Sequence, residues 1–147
     1  AGCSPGIEPL YGVRVLRRAL EDLELTMVHS AFARMIRAHG LTIEKLRTDL
    51  AASPSIQDIA RIPREIRQLF VTAHDVSPQQ HVRMQAVFQR FSDSAVSKTI
   101  NLPSSATKAD VAEAFLLAYE LGCKGLTVFR SGSREAQVLS CSPAQPC

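Results

Sequence analysis

The chain has no tryptophan, and its 2 tyrosines and 6 phenylalanines make up only 5% of 147 residues. It therefore lacks the interleaved aromatics on which single-stranded nucleic acid stacks. Apolar runs are short. Ala114–Tyr119 is one of the longest, whereas a membrane-spanning helix needs about 20 such residues. No basic segment followed by an apolar stretch opens the chain, so no secretory signal is expected. Charge is modest: 17 Lys and Arg against 14 Asp and Glu leave +3, too little to point to nucleic acid. The 4 cysteines include no C-x2-C or C-x4-C pair, so neither a zinc site nor a disulfide scaffold is expected. A reduced, cytoplasmic setting follows as the expectation. Neither a glycine-rich phosphate loop nor a nucleophile elbow is present.

What remains is 46% hydrophobic and 21% charged, the composition of a soluble globular chain of single-domain length. Such a chain could bury about two-thirds of its unfolded surface. It begins at Ala1 inside a Gly/Pro-rich turn, which together with the few aromatics suggests a piece of a larger protein.

Breakers mark Ala1–Leu10 as a turn, and Tyr11–Leu20 reads as a short strand. Met27–His39 reads as a helix with Val28, Phe32, Met35 and Ile36 on one stripe and Gly40 as its stop. Thr42 is expected to cap a helix through Ala51, with Ile43, Leu46 and Leu50 inward. A linker spans Ala52–Arg61, and Pro63 suits the first position of a helix to Phe70. Ser77-Pro78-Gln79-Gln80 opens a helix to about Phe91, whose apolar stripe is Met84, Val87, Phe88 and Phe91, with Val82 beside it. Ala95–Leu102 alternates as a strand, Thr107 opens a helix to Leu121 that Gly122 stops, and Leu126–Phe129 is a second strand. Helix, strand, helix, strand is an α/β pattern, and the helical crossover makes the two strands parallel. Residues from Ser131 onward lack a period and are expected to be flexible.

Several groups could carry chemistry. His74-Asp75 with His81 invites a metal or general-base reading, but no thiol or further carboxylate joins them. Helix capping and backbone hydrogen bonds are the plainer account. Arg61, Arg64 and Arg67 read as a solvated helix face rather than a phosphate contact. Ser97, Thr99 and Asn101 share one strand face, which either lines a polar cavity or faces water on an edge strand. Cys141 and Cys147 are either a mobile dithiol or incidental cysteines.

Several segments, in order, resemble the ribonucleotide reductases: Gly6-Ile7-Glu8-Pro9-Leu10, Ser55-Ile56-Gln57-Asp58-Ile59, Leu69-Phe70-Val71-Thr72-Ala73-His74-Asp75, and His81-Val82-Arg83-Met84-Gln85-Ala86. Asp93 to Pro103, Ala118 to Val128 and Arg130-Ser131-Gly132-Ser133-Arg134 continue the likeness, which is to the adenosylcobalamin-dependent branch. The resemblance implies a helix-rich C-terminal fragment of a ten-stranded α/β barrel, with residues 1–130 in the barrel and 131–147 a flexible tail. It implies a ribonucleotide substrate, adenosylcobalamin as cofactor, the rest of the reductase chain as partner and a thioredoxin-like reductant. Nucleic acid, membrane and a bound metal ion are not implied. The thiyl-forming finger loop, the paired barrel cysteines and the phosphate loop would all precede Ala1. Gly6 and Glu8 would then lie beside the phosphate loop, Ser97, Thr99 and Asn101 would line the substrate cavity, and Cys141 and Cys147 would re-reduce the active site. Leu126-Thr127-Val128-Phe129 lacks the tyrosine pair of the metal-radical branch, which excludes a tyrosine relay there. The alternative is a non-catalytic interaction module built on a piece of that barrel.

Overall fold

After the opening turn the chain pairs with itself. Strands β1 (Arg14–Ala19) and β2 (Leu23–Val28) form an antiparallel hairpin in which Arg14 faces Val28 and Ala19 faces Leu23. The computed structural model describes residues 6–19, 23–53, 55–133 and 139–140; Cys3, Pro54, Cys141 and Cys147 lie outside the described residues. Met27 and Val28, expected to begin a helix, close β2 instead, because pairing with Val15 and Arg14 satisfies their backbone groups. Helix α1 (Ser30–Ala38) starts just after His29, whose N–H donates to the Val13 carbonyl at 2.9 Å.

Val13, Phe32, Ile36, Leu46, Leu50, Ile56, Ile59, Ile62, Ile66 and Phe70 make the first core. Each fully buried member contributes about 1.5–3 kcal/mol. Leu46 caps the short helix α2 (Arg47–Ala52), and α3 (Arg64–Leu69) follows Pro63. Thr42 accepts the Lys45 N–H at 3.3 Å, but it caps only a turn, and the helix proper starts later than its sequence signal. The stretch read as a linker is packed: Ile56 and Ile59 are buried, and the Gln57 amide donates to the Arg67 carbonyl at 2.8 Å. Arg67 is not a solvated cation. It donates to the carbonyls of Ile62 and Gln57, which holds this irregular segment on α3.

The second half is α4 (Pro78–Gln89), β3 (Thr99–Leu102), α5 (Lys108–Glu120) and β4 (Thr127–Arg130). β3 and β4 are parallel, with Ile100 opposite Val128. Ser77 caps α4 by accepting the Gln80 N–H, and Thr107 with Asp110 forms a reciprocal capping box on α5. Gly122, at φ +75°, takes the left-handed turn that ends α5, a conformation a side chain would disfavour. Val82, Ile100, Leu102, Ala114 and Ala118 form this half's core.

Helix α4 is turned opposite to its apolar stripe. Met84, Val87, Phe88 and Phe91 are exposed, and His81, Val82, Gln85, Ala86 and Gln89 are buried. Hydrogen bonding decides the orientation. The Gln85 amide donates to the carbonyls of Val96 and Gly125, and the Gln89 amide donates to those of Ser92 and Ser94. The Gln89 carbonyl oxygen also accepts the Val96 N–H at 3.1 Å. These bonds satisfy the backbone of a segment that has no ladder of its own.

Two parts of the chain from Ser131 onward are among the described residues. Ser131 is buried and its N–H extends the β3–β4 contact to the Leu102 carbonyl at 3.0 Å. Leu139–Ser140 forms β5 on the free edge of β1, whose unpaired backbone groups template it. The architecture is α/β, with sheets ordered β2-β1-β5 and β3-β4 and no closed barrel among the described residues.

Candidate functional site

Lys98 precedes β3 in phase with Ile100 and Leu102, so its side chain goes inward with theirs and is only 2% exposed. A buried ammonium needs partners, and all three of its donors find one. They reach Glu8 Oε2 at 3.1 Å, His81 Nδ1 at 2.6 Å and the Thr99 carbonyl at 3.1 Å. Glu8 Oε1 in turn accepts the Thr99 N–H at 2.6 Å, so one carboxylate grips both the side chain and the backbone of the strand start.

His81 lies on the first turns of α4, and its Nε2 sits 3.0 Å from the Ala73 carbonyl. A carbonyl on one ring nitrogen and an ammonium on the other leave one arrangement: Nε2 carries the proton and Nδ1 accepts. The ring is neutral. Burial pushes its pKa below the usual histidine value, with Lys98 adding to the effect against the Ala73 hydrogen bond and Glu8.

The turn that carries Glu8 is fastened at a second point. Leu10 bridges Thr72 in parallel, and the Ala73 N–H donates to the Leu10 carbonyl at 2.7 Å. Asp75 accepts from both the Thr72 N–H and its hydroxyl, at 2.7 and 2.8 Å. Tyr11 meets His74 edge-on with ring centroids 5.1 Å apart. His74 Nε2 is buried without a hydrogen-bond partner, and burial lowers this ring's pKa too. The capping and backbone account of the histidines thus holds for His81, while His74 is held by ring packing. Among the described residues no three or more His, Cys, Asp and Glu side chains gather to hold a metal ion.

Of the residues singled out in sequence, Glu8 and Thr99 meet directly. Gly6, at φ +57°, turns the chain two residues before Glu8. Ser97 is exposed, and Thr99 and Asn101 are half-buried on the face opposite Ile100 and Leu102. In register that face continues through Thr127 and Phe129 of β4. Lys98 and the part played by His81 were missed in sequence. The available signal was a lysine in phase with buried Ile100 and Leu102, but its partners lie 17 and 90 residues away.

Residues 1–129 match the ribonucleotide reductase barrel domain. The chain belongs to that family. It is 43% identical over 145 residues to a vitamin B12-dependent ribonucleoside-diphosphate reductase of Thermoplasma acidophilum, covering 99% of this chain and 19% of that protein. A reductase of the same description from Mycobacterium tuberculosis is 40% identical, covering 99% of this chain and 21% of its own length. This ribonucleotide reductase segment thus spans about a fifth of the curated relatives it matches. Its fold resembles that of the Actinobacillus ureae class Id ribonucleotide reductase alpha subunit, with a TM-score of 0.69 at 21% identity over 88% of this chain and 23% of that one.

Proposed function

We propose that this segment forms part of the ten-stranded barrel of an adenosylcobalamin-dependent ribonucleoside-diphosphate reductase, and that it builds one wall of the substrate cavity. The observation that carries the reading is the union of Glu8 with β3. The turn carrying Gly6 and Glu8, which the family likeness puts beside the phosphate loop, is tied to the strand whose Ser97, Thr99 and Asn101 face away from the core. Polar groups on that face can hydrogen-bond a ribose or its phosphates, while the buried face anchors the strand to α4 and α5. An unbroken likeness to vitamin B12-dependent reductases across 99% of the chain supports an enzyme segment over a free-standing interaction module.

Adenosylcobalamin supplies the radical that starts ribose reduction. The described residues do not fit it. The groove between α4 and α5, lined by Pro78, Gln79, Asp110, Glu113, Ala114 and Leu117, has a cavity of only about 30 Å³ and offers carboxylates but no imidazole or thiol. A corrin ring is too large for it. The cofactor is therefore assigned to other parts of the reductase, and this segment's role is to hold and shape. Residues 1–130 are assigned to the barrel and 131–147 to a tail that serves a thioredoxin-like reductant through Cys141 and Cys147, in the cytoplasm.

The test is turnover by the full reductase that contains this segment. With adenosylcobalamin and a dithiol it should convert ribonucleoside diphosphates to deoxyribonucleotides, and the 147-residue chain alone should make none. Turnover without cobalamin, turnover by the chain alone, or no turnover by the full reductase overturns the reading.

A further inference from the structure

Two fasteners hold the turn 6–11 on the rest of the molecule, and they differ in kind. The Leu10–Thr72 bridge is backbone to backbone and ties the turn to the first core. The Glu8–Lys98 contact is made by side chains and ties the turn to the second half, 90 residues away. The Thr99 N–H binds the same Glu8 carboxylate and joins the turn to the start of β3 as well.

The lysine itself is unusual in being fully engaged. At 2% exposure it has traded water for three acceptors, of which only Glu8 is charged. Exposed ion pairs are worth about 0–1 kcal/mol, but removing one member of a buried pair leaves the other uncompensated at several times that cost. The three acceptors come from three separate places: the turn, helix α4 and the start of β3. An ammonium that joins them fixes their mutual spacing more tightly than apolar packing would, because hydrogen bonds are directional.

We propose that Lys98 is a positioning residue. Its ammonium, shared among Glu8, His81 and the Thr99 carbonyl, sets the distance between the turn 6–11 and β3, and so the placement of the turn beside the strand's polar face. The inference rests on the substrate-cavity reading above and deepens it by naming the group that holds the cavity's two sides in register. Lys98 touches no substrate. It acts through Glu8 and through the backbone of Thr99.

The same geometry makes the device sensitive to proton load. Glu8 and Lys98 lie on the Nδ1 side of His81, the Ala73 carbonyl on its Nε2 side, and His74, flanked by Asp75 and Tyr11, stands nearby. A proton added at Nδ1 would remove an acceptor from Lys98 and set two cations 2.6 Å apart. The contact between the turn and β3 should therefore loosen when His81 is protonated.

The experiment uses the full reductase with Lys98→Met, Lys98→Arg and Glu8→Gln, read in two ways. Hydrogen exchange of the segments 6–11 and 96–102 is the activity-independent readout. Lys98→Met should speed exchange in both while residues 23–36 stay protected, and Lys98→Arg should restore part of the protection. In steady state, Lys98→Met should raise KM for the ribonucleotide about ten-fold with a smaller fall in kcat, the pattern of lost substrate placement. Glu8→Gln, which leaves the buried ammonium without its only charged partner, should move KM in the same direction. Because the Glu8 charge raises the His81 pKa, Glu8→Gln should also move the acid limb of the KM–pH profile to lower pH, which a purely structural contact would not do. Unchanged exchange in both segments with Lys98→Met overturns the proposal, as does loss of protection throughout the chain with every variant. A wild-type reductase that fails to reduce ribonucleotides would sink the functional reading, and the exchange result would still decide whether Lys98 positions the turn.

Discussion

His81 and His74 carry no net charge near neutrality, and both have pKa values lowered from 6.5, chiefly by burial. Below about pH 6.5 the unfolded chain binds protons that the folded chain refuses, so stability must fall as the pH drops from about 6.5 toward the lowered values. Asp110 acts in a separate window. Thr107 holds its carboxylate below 3.8, so the stability it contributes is lost only when the pH falls below that range. Unfolding of the chain followed from roughly pH 7 to pH 5 should show a loss that His81→Gln reduces. A pH-independent midpoint across that interval would contradict a buried neutral His81. Because Nδ1 accepts from Lys98, nitrogen chemical shifts of the ring should report the Nε2-protonated form throughout.

Helix α4 shows what polar groups can do to an element's orientation. Its apolar residues Met84, Val87 and Phe88, and Phe91 just past its end, look outward, while two glutamines and a histidine look in. Gln85→Met should cost about 1–3 kcal/mol, because it removes the donor that the carbonyls of Val96 and Gly125 share. Met84→Gln, one residue earlier on the half-exposed side, should change stability by no more than about 0.5 kcal/mol. Chemical denaturation of the two variants in parallel checks the contrast, and equal effects would mean that the hydrogen bonds of Gln85 do not set the helix's facing. Caps, by comparison, follow directly from local chemistry: the Ser77 and Thr107 ends stand where their side chains can satisfy the first free N–H groups.

Across the whole molecule, two cores are stitched by the Glu8–Lys98 pair and the Leu10–Thr72 bridge, and several large apolar side chains stay uncovered on α4 and α5. Phe115, Leu116 and Tyr119 on α5 add to the exposed face of α4. That much apolar surface suits a segment built to be packed by the remainder of a barrel. The cysteine pair belongs to the same level. Cys141 follows Ser140 in sequence, and both cysteines lie outside the described residues. Replacing Cys141 and Cys147 together by serine in the full reductase should reduce thioredoxin-driven turnover and leave turnover with a small dithiol intact. If both rates stay the same, the pair is not the shuttle.

Composition, strand alternation and helix caps are local properties, and the residues that carry them are close in sequence. That is why the parallel β3–β4 pair, the ends of α4 and α5 and the polar face of Ser97, Thr99 and Asn101 could be read from the chain itself. The family likeness came the same way, from strings of residues in order. The β1–β2 hairpin, the inward face of α4 and the partners of Lys98 could not. Each depends on which distant backbone or side-chain group is left needing a hydrogen bond once the chain has closed on itself. A lysine among apolar residues shows that a partner must exist. Only the folded chain brings Glu8 and His81 to it, since both lie at separations where sequence pattern carries no distance information.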